Sequence, residues 1–484
     1  MYPLADELSK HGHEVMMLQL ANFESMKAKA PAKSKIEDRF LMVTTFQEET
    51  EDTLRLPPHI LWGYMPIGGA TFVFPWKIFS DNCVGVLTTD TLREEFYKKL
   101  KEKRFDLVFV DDIFAACGML AAGEARKISN ASVINFGTTI LMPQSQEIRG
   151  LPIHKTLYPS VLKPNPGYYD HTSFAHRLHN MVDHLAFDFM EKVIDHLVPY
   201  WLRMPRDQHT APSLFALHSD LLMASLSPML EFVKPRSNEV IELDVDCPKK
   251  AQLSPEYQQF VEDPRSKGTI VLAMGHVTDW DGAPPGAFEA FFDAFTRLAA
   301  KDYRVVWQYL AKKPKPSDLS PNIIMEKWVP QPALLYHPKT KVFISHCGGK
   351  SLREAICSGV PVVTMPMFAE QYRNAAIAYK KKIATFLDKT ALSPAVVYEA
   401  IISILNDTSY QTRAQELSKQ LDDQIMRPMD QGRFWTEFLL RHDKSLIRKY
   451  FRLRYPELPC LAKDSCELAW LSIGLTFLLV KLTY

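Results

Sequence analysis

Short apolar runs alternate along this chain with longer segments of helical periodicity, a pattern typical of α/β domains built on parallel sheets. Strands are predicted over residues 14–20, 105–110, 132–136, 269–273, 305–309, 323–326, 341–345 and 361–365. Helices are predicted over residues 2–10, 92–103, 115–127, 176–202, 288–300, about 351–358 and 394–405. Several strand runs are apolar at nearly every position, which indicates strands covered by helices on both faces.

The hydrophobic periodicity fails between residues 235 and 263, where Pro, Asn, Asp, Lys and Ser accumulate. A domain boundary is expected in that region. The chain's 484 residues are enough for two separate cores. The predicted organisation is one α/β domain over 1–245, a second over 246–425, and closing helices with an apolar tail over 426–484.

The strongest functional signal lies in residues 328–374. Runs 341–345 and 361–365 are predicted strands, and apolar residues recur between them at helical spacing until Gly359. Strands joined by a crossover helix lie parallel, so a ligand is expected beyond their carboxyl ends, where residues 346–351 fall. Adjacent glycines let the backbone approach a ligand, and the start of a helix favours an anion. This stretch is interpreted as a diphosphate site.

The same stretch resembles the signature of the UDP-glycosyltransferase family, which contains membrane-bound UDP-glucuronosyltransferases and their glucosyltransferase relatives. The positions that match in order and nearly in spacing are Trp328, Gln331, His346, Gly348, Ser351, Glu354, Gly359, Pro361, Pro366 and Gln371. A match over this many positions is far more specific than a single glycine motif. The resemblance implies two Rossmann-like, doubly wound domains that face each other across a cleft, the GT-B fold, followed by a short apolar carboxyl-terminal helix.

The resemblance also implies roles in binding the UDP-sugar. Trp328 would stack on uracil and Gln331 would lie beside the uridine, while Glu354 would bind the ribose hydroxyls. The diphosphate would lie against His346, Gly348, Gly349 and Ser351, and also near Gly275 and His276, where the family usually has Gly-Ser. The sugar hydroxyls would bind Glu370 and Gln371. An indole suits a flat base, and helix-start donors suit phosphate.

Three positions depart from the family pattern. The usual His-Gly-Gly-x-Asn-Ser here places Cys347 where the first Gly stands and Lys350 where the Asn stands, and Glu370 replaces the usual Asp. Lys350 would meet phosphate as a point charge, and Glu370 would reach a hydroxyl from one carbon further out. Cys347 is either a reactive thiol or a small packing residue.

The amino-terminal half carries the acceptor side of the resemblance. In the family, a signal peptide, a first strand and a catalytic His precede a segment like residues 4–15; none is in this sequence, so its start is interpreted as truncated. Asp111, at the end of run 105–110, matches the Asp that orients and charges that His. Asp112 is the alternative, as a helix cap. Aromatic residues in 61–79 would line a hydrophobic acceptor pocket or belong to the core.

Charge and cysteine content add further expectations. A net charge of +1 argues against a nucleic-acid partner, since phosphate backbones recruit clustered Lys and Arg; the densest basic run, Lys380–Lys382, is interpreted as a solvated helix end. The seven cysteines show no metal-ligand spacing, and their odd number supports no disulfide framework. The expected ligands are a UDP-sugar and a lipophilic small-molecule acceptor, without a metal or other cofactor.

The resemblance implies the endoplasmic reticulum membrane as the location, although the sequence shows no signal peptide. Residues 468–480 are uncharged, but thirteen residues are short of the ~20 that a spanning helix needs. This segment is either a curtailed membrane anchor or a buried helix. A homo- or hetero-dimer is a further alternative that the sequence leaves open.

Two functions follow from these observations. The first is transfer of glucuronic acid or glucose from its UDP-sugar to a hydroxyl of a small lipophilic acceptor, with inversion at the anomeric carbon. The second is a catalytically inactive UDP-sugar-binding or regulatory relative, because the family's catalytic His is absent from the sequence.

Overall fold

The computed structural model describes residues 1–21, 35–42, 61–63, 70–138, 140–151, 153–160, 169–225, 227–232, 234–248, 250–275 and 278–453. In the first half the elements are α1 (Tyr2–Lys10), β1 (Met16–Ala21), β2 (Glu37–Met42), α2 (Ala70–Thr88), α3 (Asp90–Lys103), β3 (Leu107–Asp111), α4 (Ala116–Ser129), β4 (Ser132–Gly137), α5 (Pro143–Glu147), α6 (Phe174–Leu202), α7 (Pro212–His218), β5 (Leu221–Ser225) and β6 (Val240–Leu243).

In the second half they are α8 (Pro255–Glu262), β7 (Gly268–Ala273), α9 (Ala287–Ala299), β8 (Tyr303–Gln308), β9 (Ile323–Glu326), α10 (Gln331–Leu335), β10 (Thr340–Ser345), α11 (Gly349–Ser358), β11 (Val362–Thr364), α12 (Gln371–Lys380), β12 (Ala384–Phe386), α13 (Pro394–Asn406), α14 (Thr408–Asp422), α15 (Pro428–Arg441) and α16 (Lys444–Tyr450). The predicted elements agree with these within a few residues, and β9 agrees at both ends. Strand β6 was not predicted, because it lies in the stretch where periodicity fails.

The strands form parallel sheets. In the amino-terminal half, β3-β4-β5-β6 make one sheet and β1-β2 a separate pair. The carboxyl-terminal half contains a six-stranded sheet in the order β12-β11-β10-β7-β8-β9. Strand order reverses between β7 and β10, and such a switch point is where parallel sheets bind ligands. The predicted α/β architecture is confirmed.

The carboxyl-terminal sheet has an apolar core on each face. Ile270 and Leu272 of β7 pack into one cluster with Phe291 of α9, whereas Val271 packs into the other, which also contains Ile356 of α11. Successive side chains of a strand point to opposite faces, so a strand with two buried faces must be apolar at every position. This explains why the strand runs of this half are continuous rather than alternating.

The two halves are joined at the carboxyl ends of their sheets. Arg353 of α11 donates from Nη1 to Ser225 Oγ at the end of β5, 2.9 Å away, and Arg373 of α12 pairs with Glu231. Burial lowers the pKa of the Met1 amine, which also interacts electrostatically with both Asp111 and Arg353. The Met1 amine is therefore near both Asp111, at the end of β3, and Arg353 of α11.

Two disulfides brace this arrangement. Cys247, in the connection after β6, is bonded to Cys357 in the last turn of α11, across 110 residues of sequence. Cys83 of α2 is bonded to Cys117 of α4. No pairing could be predicted from the sequence, because these cysteines lie far apart along the chain and an odd total offers no unique partition.

Candidate functional site

The segment after β10 forms the centre of the site. Strand β10 ends at Ser345, residues 346–348 turn the chain, and α11 begins at Gly349 with Gly348 as its N-cap. Gly348 has no side chain to cap the helix, so the first backbone N–H groups of α11 depend on other groups. Gly359 ends the helix in the left-handed conformation (φ 66°), as its predicted role as a stop requires.

The His346 ring explains two glycines of the predicted phosphate loop. A Cβ on Gly348 would lie 2.6 Å from His346 Nε2, and a Cβ on Gly275 would lie 3.0 Å from His346 Cε1. Gly275 also has a φ of +74°, which side chains rarely adopt. His346 therefore lies between the loop after β7 and the start of α11. His276, the other residue predicted in the β7 loop, is outside the described residues.

Cys347 is a packing residue in this structure. It is fully buried, its N–H donates to Ser345 Oγ at 3.1 Å, and its carbonyl accepts from Asn374 Nδ2 at 2.9 Å. Burial raises the pKa of its thiol far above the usual range, so the thiolate needed for reactivity is disfavoured. Its φ of 61° explains the family's glycine here, since a left-handed residue with a side chain costs about 1–2 kcal/mol.

Gln331 and Glu354 are separated in sequence but are hydrogen-bonded, and Trp328 lies just before Gln331. Trp328 follows β9 with 75% of its surface exposed, so its indole is open to a ligand. Gln331, at the start of α10, donates from Nε2 to Glu354 Oε2 at 2.6 Å and to Ser351 Oγ at 3.4 Å. Burial raises the pKa of Glu354, opposed mainly by that hydrogen bond from Gln331. The three polar side chains form one network beside the start of α11.

Glu370 and Gln371 occupy the turn between β11 and α12. Gln371 Oε1 accepts from the N–H groups of Met367 and Phe368, at 2.9 and 3.2 Å. That oxygen shapes the turn, so a ligand hydroxyl would bond to Nε2. Burial raises the pKa of the Glu370 carboxyl, opposed by backbone N–H groups that include that of Gly349. Glu370 thus lies near the start of α11, where a phosphate is predicted.

Asp111 and Asp112 follow β3 and have different partners. Asp111 accepts from the Ile113 N–H at 3.2 Å and from Thr138 Oγ1 at 3.1 Å. Asp112 accepts from Asn135 Nδ2, Ser145 Oγ and the Met142 N–H, at 2.6, 2.7 and 3.1 Å. The alternative role of Asp112 as a helix cap is wrong, because α4 has Ala115 at its N-cap. Asp112 instead holds the segment before α5 against β4.

Replacing Asp111 by asparagine is expected to stabilise the protein at pH 7 but not at pH 4. Burial raises the Asp111 pKa from its ordinary 3.8 to about 6. A raised carboxyl pKa stabilises the fold below pH 4, and this contribution is lost as pH rises through 6. At pH 7 the free energy of unfolding of the asparagine variant should exceed that of the native protein by about 2–3 kcal/mol. Urea unfolding at pH 4, 5.5 and 7 measures the difference; a gap that does not grow with pH contradicts the assignment.

The comparison with known families decides the identity of the chain. The family model described as UDP-glucoronosyl and UDP-glucosyl transferase matches residues 1–459. The chain belongs to that family. Its relatives include UDP-glucuronosyltransferase 2B14 of Oryctolagus cuniculus, 27% identical over 500 aligned residues that cover 99% of this chain and 88% of the relative. UDP-glucuronosyltransferase 1A8 of Homo sapiens is 29% identical over 372 residues, covering 76% of this chain and 66% of the relative.

Solved structures with the same fold include glycosyltransferases. The glycotransferase of kitacinnamycin has a TM-score of 0.57 and 16% identity, covering 90% of this chain and 93% of that one. Glycosyltransferase VinC in complex with dTDP has a TM-score of 0.57 and 15% identity, covering 91% and 96%. The expected GT-B fold is confirmed, and the protein is a glycosyltransferase of the UDP-glucoronosyl and UDP-glucosyl transferase family.

Two sequence expectations concern a metal and the membrane. Within the part of this glycosyltransferase that the structure describes, no group of three or more His, Cys, Asp or Glu residues is placed to hold a metal ion. No helix among those residues is long and apolar enough to cross a membrane. Residues 468–480, predicted as an anchor or a buried helix, lie outside the described residues.

Proposed function

We propose that this glycosyltransferase binds a UDP-sugar against α11 and transfers glucuronic acid or glucose to a hydroxyl of a small lipophilic acceptor. The observation that carries the proposal is the convergence of an exposed Trp328, the Gln331–Glu354–Ser351 network and the start of α11 at one sheet edge. These groups match, in order, a flat base, a ribose diol and a diphosphate. The uracil would stack on Trp328 and the ribose would bind Glu354.

The residues of this chain would act mainly by holding the leaving group. Negative charge develops on the diphosphate as the sugar departs, and the helix-start N–H groups of α11 together with Lys350 would stabilise it. Asp111 lies at the carboxyl end of β3, where it would orient a general base that takes the acceptor proton. This arrangement delivers the acceptor from the opposite side to the diphosphate and so favours inversion.

Transfer is tested by incubating the full chain with UDP-glucuronic acid or UDP-glucose and a panel of lipophilic phenols and alcohols. Mass spectrometry should detect one sugar added to an acceptor, and NMR should show the inverted anomeric configuration. The Trp328→Ala variant should lose the product. Conjugates formed equally by that variant would contradict the proposed donor site.

A second function, UDP-sugar binding without transfer, is favoured by one observation. Among the described residues, the hydrogen bonds of the Asp111 carboxylate are to Ile113 and Thr138 rather than to a histidine. The transfer assay distinguishes the two functions. Calorimetric binding of UDP without any conjugate, for either donor, would support the regulatory role.

Shortening Glu370 to aspartate is expected to tighten UDP binding about fivefold. The Gly349 N–H is close enough to the Glu370 carboxylate to lower its pKa, so that carboxylate would compete with a phosphate for the start of α11. Aspartate is one carbon shorter and would release that N–H. An anion at a helix start gains up to about 1 kcal/mol, which sets the size of the effect. Isothermal titration with UDP measures it against Glu399→Asp on α13; unchanged or weaker binding by Glu370→Asp contradicts the competition.

A further inference from the structure

The turn between β11 and α12 is held by side chains on two sides. Gln371 Oε1 accepts from the N–H groups of Met367 and Phe368, at 2.9 and 3.2 Å. The Met367 carbonyl accepts from Lys389 Nζ, which reaches it from the turn after β12. Both backbone polar groups of Met367 are therefore fixed. Because the turn leads directly into Glu370 and Gln371, its conformation determines where those two side chains lie.

Lys389 is an unusual residue at this place because it is buried. Only 2% of its surface is exposed, and burial lowers the pKa of its ammonium to about 8, opposed by the charge of Asp388. Taking an ammonium out of water costs free energy, which hydrogen bonds to neutral carbonyls offset only in part. A methionine of similar length would fill the same space without that cost. Packing alone therefore explains this lysine poorly, and what its amine holds in place explains it better.

A second carbonyl bound by Lys389 comes from the other half of the chain. Lys389 Nζ also donates to the carbonyl of Leu61. Leu61 and Trp62 are buried in the apolar cluster on one face of the carboxyl-terminal sheet. Trp62 Nε1 donates to the Asp279 carbonyl at 3.0 Å, and its ring centroid lies 5.4 Å from that of Trp280. Trp62, expected in an acceptor pocket or in the core, is thus a core residue. One amine therefore links a segment of the amino-terminal half to the turn before α12.

The groups proposed to bind the uridine lie on other elements than this turn. Trp328 follows β9, and Glu354 belongs to α11. Helix α12 also has an anchor that does not involve Lys389, because Asn374 Nδ2 donates to the Cys347 carbonyl at 2.9 Å. Loss of the Lys389 amine would therefore loosen the turn while α12 and the uridine groups keep their places.

We propose that Lys389 is a positioning residue for the sugar half of the donor. Its ammonium fixes the Met367 carbonyl and thereby the turn that places Glu370 and Gln371 against the sugar hydroxyls. The effect is specific to the sugar, because the groups assigned to uracil and ribose lie elsewhere. Lys389 lies outside the stretch 328–374 that carries the family resemblance, so no motif points to it. This assignment rests on the proposed transferase function, whose donor it concerns.

Isothermal titration of the full chain with UDP, UDP-glucuronic acid and UDP-glucose tests this role. The quantity compared is the ratio of the Kd for UDP to the Kd for the UDP-sugar that the native chain binds more tightly. Lys389→Met should lower this ratio about tenfold, the size of one lost hydrogen bond between a sugar hydroxyl and a charged group, while UDP affinity stays within about twofold. Lys389→Gln keeps a donor with shorter reach and should lower the ratio less. Lys301→Met removes an exposed amine that donates to Tyr398 Oη at 2.6 Å in the same domain, and it should leave the ratio unchanged.

A merely structural role of Lys389 would give a different result. Weakening of UDP and the UDP-sugar by the same factor in Lys389→Met overturns the proposal, as does a ratio equal to that of Lys301→Met. Circular dichroism checks that the variants fold; if Lys389→Met does not, Lys389→Gln decides, and an unchanged ratio in that variant overturns the proposal. In each of these cases UDP binding by the native chain leaves the donor site standing. If the native chain fails to bind UDP, the proposed function itself is wrong.

Discussion

Replacing Glu354 by alanine is expected to weaken UDP binding about 30-fold. Glu354 is 5% exposed and is held by Gln331 at 2.6 Å, so its carboxylate is fixed before a ligand arrives. Two hydrogen bonds from ribose hydroxyls to one carboxylate are charge-assisted, and their loss costs about 2 kcal/mol, which corresponds to that factor. The Gln331 amide would also lose its partner. Isothermal titration of the full chain with UDP measures the change.

Two further variants make the Glu354 result interpretable. Glu399→Ala removes an exposed carboxylate from α13 in the same domain and should leave UDP affinity unchanged. Glu354→Gln retains one oxygen acceptor and should fall between the alanine variant and the native protein. If Glu354→Ala binds UDP as tightly as Glu399→Ala does, Glu354 does not contact the ribose.

Replacing Arg149 by methionine is expected to lower the free energy of unfolding by about 3–5 kcal/mol. Arg149 and Glu239 are both fully buried and form an ion pair. Arg149 also donates to the carbonyl and the hydroxyl of Ser219, at 2.9 and 2.6 Å. Its removal leaves Glu239 charged in the interior with Arg452 at 3.1 Å as a remaining partner. Urea unfolding followed by circular dichroism measures the loss.

The same ion pair provides its own control. A double variant, Arg149→Met with Glu239→Leu, removes both charges and should recover part of the lost stability, because a buried pair replaced by apolar residues is often close to neutral. If adding Glu239→Leu to Arg149→Met lowers the free energy of unfolding as much as Glu239→Leu does in the native protein, the two charges do not act together. Arg149 also acts on Asp112, since its charge opposes the rise in the Asp112 pKa.

The parts of the donor site that are contiguous in sequence could be predicted from it. The strand, the turn at 346–348 and the helix ending at Gly359 are set by local hydrophobic periodicity and by glycine conformation, so they were predicted nearly residue by residue. The GT-B fold could be predicted because the positions that carry the family resemblance lie within one contiguous stretch, 328–374. What local patterns cannot give is which side chains meet across the fold.

The contacts that were missed are all long-range. Glu370 reaches Gly349 from the next crossover, and Cys247 reaches Cys357 across 110 residues. Glu191 is spaced like any polar residue of a long amphipathic helix, and only the packing of α6 against α2 and α7 buries it. The likeness of Asp111 to a family position identified that residue but not its neighbours. Burial and orphaned hydrogen-bonding groups are properties of the packed structure rather than of the sequence.

A crystal structure of the full chain with UDP tests the central claim most directly. The uracil should stack on the exposed indole of Trp328, the ribose hydroxyls should lie on Glu354, and the diphosphate should lie at the start of α11 beside Ser351. UDP bound away from α11, or a diphosphate with its ribose directed away from Glu354, would contradict the account.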